Sequence, residues 1–122
     1  MPFVEQALTS KIIECVIKVH QVLGPGFLES IYRKALVIEL RRTGLHVEFE
    51  KEFPVFYFER EIGTHRLDLL VEKKIVVELK NVDFLHTKYY AQLKSYLRAA
   101  NCHIGLLVNF ASKKAEFRRI EI

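Results

Sequence analysis

Asp68, Glu78 and Lys80 are the residues of this chain whose types and spacing best suit chemistry. They lie in Arg66-Leu67-Asp68-Leu69-Leu70-Val71-Glu72-Lys73-Lys74-Ile75-Val76-Val77-Glu78-Leu79-Lys80, where two apolar runs flank a charged turn. Folded as a β-hairpin, the alternation puts Leu67, Leu69, Val71, Ile75, Val77 and Leu79 on one face, a core face. The opposite face carries Asp68, Glu78 and Lys80 beside Leu70 and Val76. Glu78 and Lys80 are then roughly 6.6 Å apart along one strand. A turn centred on Lys73 sets Asp68 opposite Glu78, with Cβ atoms roughly 4.5–5.5 Å apart. Carboxylates that close repel unless a proton or a cation lies between them. A hard divalent cation accepts oxygen ligands and meets that need, which leaves the lysine to handle an anion beside it. The alternative is a solvated hairpin face with an ordinary cross-strand ion pair.

Other polar residues admit two readings each. With Gly26 as N-cap, Glu29 takes the third helical position, where a glutamate satisfies backbone donors and the helix dipole. Gln92 and Tyr96 share one helix face, a spacing that also fits an ordinary amphipathic edge. Lys113, Lys114, Arg118 and Arg119 form a basic segment, either a solvated face or a phosphate-contacting patch. His20, alone on a mostly apolar helix, reads as a hydrogen-bonded structural residue, and His86 and His103 lack transition-metal spacing. Phe53-Pro54-Val55-Phe56-Tyr57-Phe58 is too aromatic for one exposed strand. Core packing accounts for alternate members, and the rest suggest an interface such as a homodimer.

The elements that must position these residues follow from periodicity. An amphipathic helix is expected from about Val4 to Leu23, with Val4, Leu8, Ile12, Val16, Val19 and Leu23 on one stripe. Gly24-Pro25-Gly26 breaks it. A second helix from about Phe27 to Thr43 buries Leu28, Ile31, Tyr32, Ala35 and Leu36, and Gly44 stops it. Strands are expected near Val47–Phe58, bent at Pro54, then Thr64–Val71 and Ile75–Lys80. A helix near Thr87–Ala100, a strand at Cys102–Phe110 and an edge strand from Glu116 to Ile122 complete an α/β sandwich around a mixed sheet.

Length and composition set bounds. A chain of 122 residues suits one domain spanning 1–122, with a single core and no separate recognition domain. Half the residues are hydrophobic, with few Gly and Pro, which argues against long disordered segments. A net charge of +4 favours an anionic partner. The sequence shows no long apolar run and no signal-peptide layout, so a cytoplasmic location and no membrane partner are expected. Cys15 and Cys102 read as buried free thiols. No phosphate-cradling glycine loop, nucleophilic serine constellation or zinc ligand set is visible.

The ordered set Gly26-x-x-Glu29-x-x-Tyr32, Asp68, Glu78-x-Lys80, Gln92-x-x-x-Tyr96 and Gly105-Leu106-Leu107-Val108-Asn109-Phe110 resembles the GxxExxY family of the PD-(D/E)xK nuclease superfamily, from about Val19 to Ile120. Leu67 stands in the place of the Pro. Gln92 and Tyr96 resemble the Q-x-x-x-Y signature of RecB-like nucleases. The resemblance implies a restriction-endonuclease-like α-β-β-β-α-β core and a Mg2+- or Mn2+-dependent nuclease. Its metal would be held by Asp68, Glu78 and the Leu79 carbonyl, with Glu29 reaching it directly or through water. Lys80 would hold the attacking hydroxide or the scissile phosphate, Gln92 a phosphate or a metal-bound water, and Tyr96 the substrate backbone. Tyr32 would pack and orient a neighbour. Relatives usually show a histidine where this chain has Tyr89, and RecB-like enzymes use an upstream histidine where His20 lies. The function implied is hydrolysis of phosphodiesters, in DNA rather than RNA, without a covalent intermediate. The alternatives are a non-catalytic nucleic-acid- or protein-binding module that keeps the fold, and a subunit that works only with partners encoded nearby.

Overall fold

The computed structural model describes residues 5–122. Helix α1 (Gln6–Leu23) buries a stripe of Ile12, Cys15, Val16, Val19 and His20. Leu8 and Leu23 pack partly against it, and Val4 lies outside the described residues. Gly24-Pro25-Gly26 ends the helix, with Gly26 at φ 107°, a backbone conformation open to glycine.

Helix α2 (Glu29–Arg42) differs from expectation at its start. Leu28, not Gly26, is the N-cap, so Glu29 is the first helical residue rather than the third. Tyr32, Leu36 and Leu40 recur every fourth position and face inward with Val37, leaving Leu28 and Ile31 exposed at 73% and 42%. Ile31 sits about 100° around the helix from Tyr32, outside that stripe.

The sheet comprises β1 (Val47–Tyr57), β2 (Arg60–Val71), β3 (Ile75–Lys80), β4 (Ile104–Asn109) and β5 (Glu116–Glu121), in spatial order β1-β2-β3-β4-β5. All neighbours are antiparallel except β3 and β4, which α3 (Thr87–Ala100) joins as a parallel crossover. That central pair is buried from Ile75 to Leu79 and throughout β4, which is why both strands read as continuous apolar runs. β2 begins at Arg60 rather than near Thr64, because the β1–β2 hairpin pairs out to Tyr57 and Arg60. Pro54 pairs with Thr64 on an edge strand, where proline is tolerated, and the register shifts one residue on, between Val55 and Phe56.

Two cores enclose the sheet. One joins α1 and α2 to Leu69, Val71, Val77, Leu79, Leu106 and Val108. The other joins Leu93 and Leu97 of α3 to Leu70, Val76 and Leu107. A Cβ on Gly105 would meet the Leu93 side chain at 3.0 Å, so a residue without one lets α3 seat on β4. Both cysteines are buried and free. At the β1–β2 tip Phe53 packs against the second core, while Phe56, Tyr57 and Phe58 are exposed. Among the described residues no helix is long and apolar enough to cross a membrane.

Candidate active site

The β2–β3 ladder runs through Val71↔Ile75, Leu70↔Val76 and Leu69↔Val77, the register that a turn at Lys73 requires. The next positions are Asp68 and Glu78, and there carboxyl groups act as acceptors in place of strand carbonyls. Asp68 N–H donates to Glu78 Oε1 at 3.1 Å, and Leu79 N–H donates to Asp68 Oδ2 at 2.9 Å. The two acids therefore fill a wedge where the strands part. Side-chain alternation fails at the same place. Leu67 packs with the α3 core while Leu69 packs with the α1–α2 core, so Leu67 is not on the face expected for it. Opposite this break, Glu50 of β1 adopts φ 52°, between the ladder pairs Phe49↔Leu69 and Lys51↔Leu67. Left-handed backbone at a non-glycine residue costs energy and re-aims the side chain.

Glu78 is 5% exposed. Burial, then the charge of Asp68, pushes its carboxyl up to about 9, against an ordinary 4.5. Burial and Asp68 also raise Glu29, at the start of α2, while Lys80 and Arg33 pull it back. Arg33, one turn along the same helix, donates to Glu50 Oε1 at 2.8 Å and reaches Asp68 Oδ1 at 3.5 Å.

From the other face, α3 supplies Tyr89, Gln92 and Tyr96. Lys80 Nζ lies 4.7 Å from the Tyr89 ring centroid and donates to Gln92 Oε1 at 3.4 Å. Burial, then Glu78 and Asp68, raises the Tyr96 phenol. His65 packs edge-on against Tyr96 at 4.5 Å and meets Ser95 Oγ at 3.2 Å. The start of α3 is fixed by His86, whose Nδ1 accepts the Lys88 N–H, a capping role.

The Gly-x-x-Glu-x-x-Tyr segment has a mechanical explanation. The Tyr32 hydroxyl donates to Gly24 O at 2.6 Å and accepts from Phe27 N–H at 3.2 Å, closing the loop that aims Glu29 at the acids. Asn81 donates to Phe27 O, which fastens that loop to the end of β3. Asn109, fully buried beside Lys80 in the register, accepts from Val82 N–H and donates to Val82 O and Glu116. His20 is structural, bonding Ser112 O at 2.8 Å and stacking on Phe110.

The basic segment is not gathered with these groups. Lys113 and Lys114 line a cavity with Ile17 and His20, Arg118 pairs with Glu116, and Arg119 contacts Thr9 and Glu121. β4 separates their strand from β3. Sequence reasoning missed Arg33, Glu50 and the Tyr89–Lys80 contact. Only the first carried a signal, as a cation four residues after Glu29 on the same helix face.

Residues 6–120 match the model of the PD-(D/E)XK nuclease superfamily. The chain belongs to that superfamily. The crystal structure of SSO0001 superposes with a TM-score of 0.62 at 21% identity, covering 96% of this chain and 58% of that one, which shows a shared fold. The chain thus spans less than two thirds of that protein. No curated protein matches.

PD-(D/E)XK nucleases generally use divalent metal ions. The donor chemistry here fits one. Asp68 and Glu78 bring two carboxyl groups together at the end of the ladder, and a small divalent cation binds such hard oxygens through one or two carboxylates while keeping waters. Among the described residues no three His, Cys, Asp or Glu side chains form a metal-binding group.

Proposed function

We propose that the protein is a metal-dependent nuclease that hydrolyses phosphodiester bonds, in DNA rather than RNA, within one domain spanning residues 1–122. The observation that carries this reading is the Asp68–Glu78 wedge with Lys80 at its mouth. In it, Asp68, Glu78 and the Leu79 carbonyl would hold Mg2+ or Mn2+, with Glu29 reaching it directly or through water. A divalent cation bound there would supply a water of lowered pKa and stabilise charge on the phosphate. Lys80, positioned by Gln92 and Tyr89, orients the attacking water or the scissile phosphate as a compact cation. Tyr96 faces the substrate backbone beside it, and Lys113, Lys114, Arg118 and Arg119 serve more distant phosphates. The resemblance to the GxxExxY family and to RecB-like nucleases supports the same assignment, and an expected cytoplasmic location agrees with it. The exposed Phe56-Tyr57-Phe58 tip offers a surface suited to homodimer pairing.

A second reading has one observation in its favour: Arg33 already reaches Asp68 Oδ1, and a side-chain cation there suits a binding module without turnover. The two are separated by incubating labelled single- and double-stranded DNA and RNA with the protein in Mn2+, with EDTA and Asp68→Asn as controls. Cleavage that needs both the cation and Asp68 supports the nuclease. Retention without cleavage of any substrate supports the binding module.

A further inference from the structure

Beyond the acids, α2 and β1 enclose a cleft of about 330 Å³ whose lining includes Arg33, Lys34, Ile38, Arg41, Phe49 and Glu50. Its apolar lining comes from Val37, Ile38 and Phe49. Phe49 is 52% exposed, and the Arg41 guanidinium lies 5.7 Å over its ring, tethered by a bond to Val47 O at 3.0 Å. Its rim is cationic, with Arg33, Lys34 and Arg41 set against Glu50 alone. Glu50 pairs with Arg33 at 2.8 Å, which leaves Lys34 and Arg41 as the rim's excess positive charge. Lys34 is exposed at the rim. Arg33 also reaches Asp68 at 3.5 Å, which links the rim of the cleft to the acid pair.

A ligand that matches these features has a planar apolar face and an adjoining phosphate. We infer that this cleft binds one unpaired nucleotide of a single-stranded nucleic acid, with the base against Phe49 and Arg41 and its phosphate on Arg33 and Lys34. A neighbouring phosphate of the same strand then falls toward Asp68 and Glu78. The inference rests on the nuclease reading and adds a substrate preference to it. A cavity of this size is near the lower end for small-ligand sites, roughly 300–1,000 Å³, and suits one nucleotide rather than a duplex. Stacked and paired bases do not present a free face to Phe49, whereas bases of a single strand do.

The test is fluorescence anisotropy of labelled single-stranded DNA, single-stranded RNA and duplex DNA, measured in EDTA so that strands stay intact. Phe49→Ala should weaken single-strand binding by about 10- to 100-fold, the effect of losing one base–aromatic stack, and leave duplex binding unchanged. Phe49→Trp should retain binding. Lys34→Ala should reduce the salt slope by about 0.7, the share of one phosphate contact on a single strand. Circular dichroism and a thermal melt of each variant establish that it is folded. Wild type that binds no single strand, Phe49→Ala that binds single strands as wild type does, or equal weakening on single strand and duplex would overturn the inference. Binding that depends on Phe49 in a protein that cleaves nothing would sink the nuclease reading and leave the cleft standing. Cleavage with no dependence of binding on Phe49 would do the reverse.

Discussion

Asp68 and Glu78 hold each other across the end of a ladder: Glu78 Oε1 takes the Asp68 N–H at 3.1 Å, and Asp68 Oδ2 takes the N–H of Leu79 at 2.9 Å. Backbone donors thereby fix both carboxyl groups, and burial raises the Glu78 carboxyl well above its ordinary range.

The first prediction concerns cation binding. A ligand bound only by the folded state stabilises it by mass action, about 2.7 kcal/mol at a hundredfold excess over Kd. Mn2+ should therefore raise the melting temperature of the wild type, and Asp68→Asn or Glu78→Gln should remove the shift. Equal shifts in all three proteins would place the cation elsewhere.

A second prediction follows from the raised acids. A carboxyl whose folded pKa exceeds its unfolded value releases a proton on unfolding, so stability falls as pH rises. For Glu78 the contribution is fully present below 4.5 and is lost as pH rises through about 9, and Glu29 shifts in the same direction. Urea melts of the metal-free protein from about pH 5 to about pH 9 should show declining stability. Glu78→Gln and saturating Mn2+ should each flatten the decline. A stability that rises over this range in EDTA would contradict the assignment.

Tyr32→Phe provides a third test, of the loop behind Glu29. The hydroxyl serves Gly24 O and Phe27 N–H, and its removal leaves a partly buried donor and acceptor without that partner, which costs about 1–3 kcal/mol. Denaturant melts should show that loss, and amide exchange at Phe27 should accelerate. An unchanged melt would make Tyr32 a packing residue only.

The order of helices and strands was legible because periodicity reports which face is buried, and a turn at Lys73 gives the β2–β3 register by counting alone. Alternation could not foresee its own failure at Asp68, where Leu67 turns to the other core. Opposite that break lies Glu50 of a different strand, whose positive φ has no marker in a run of Glu and Lys. In α2, Leu28 falls outside the helix as its N-cap, and Ile31 lies about 100° around from Tyr32, off the buried stripe. Tyr89 stood out only as a departure from a family pattern, and its contact with Lys80 emerges from the crossover that lays α3 beside β3.

The central claim is that chemistry takes place at Asp68, Glu78 and Lys80, and the cleavage rate of Lys80→Ala tests it most directly. Cleavage and retention of labelled DNA and RNA are measured together in Mn2+ for wild type and variant. Loss of a charge positioned at a reacting phosphate should lower the rate by about 10²–10³, by analogy with removal of one oxyanion donor. Metal binding and nucleic-acid retention should stay close to wild type. Cleavage that survives undiminished in Lys80→Ala would contradict the account.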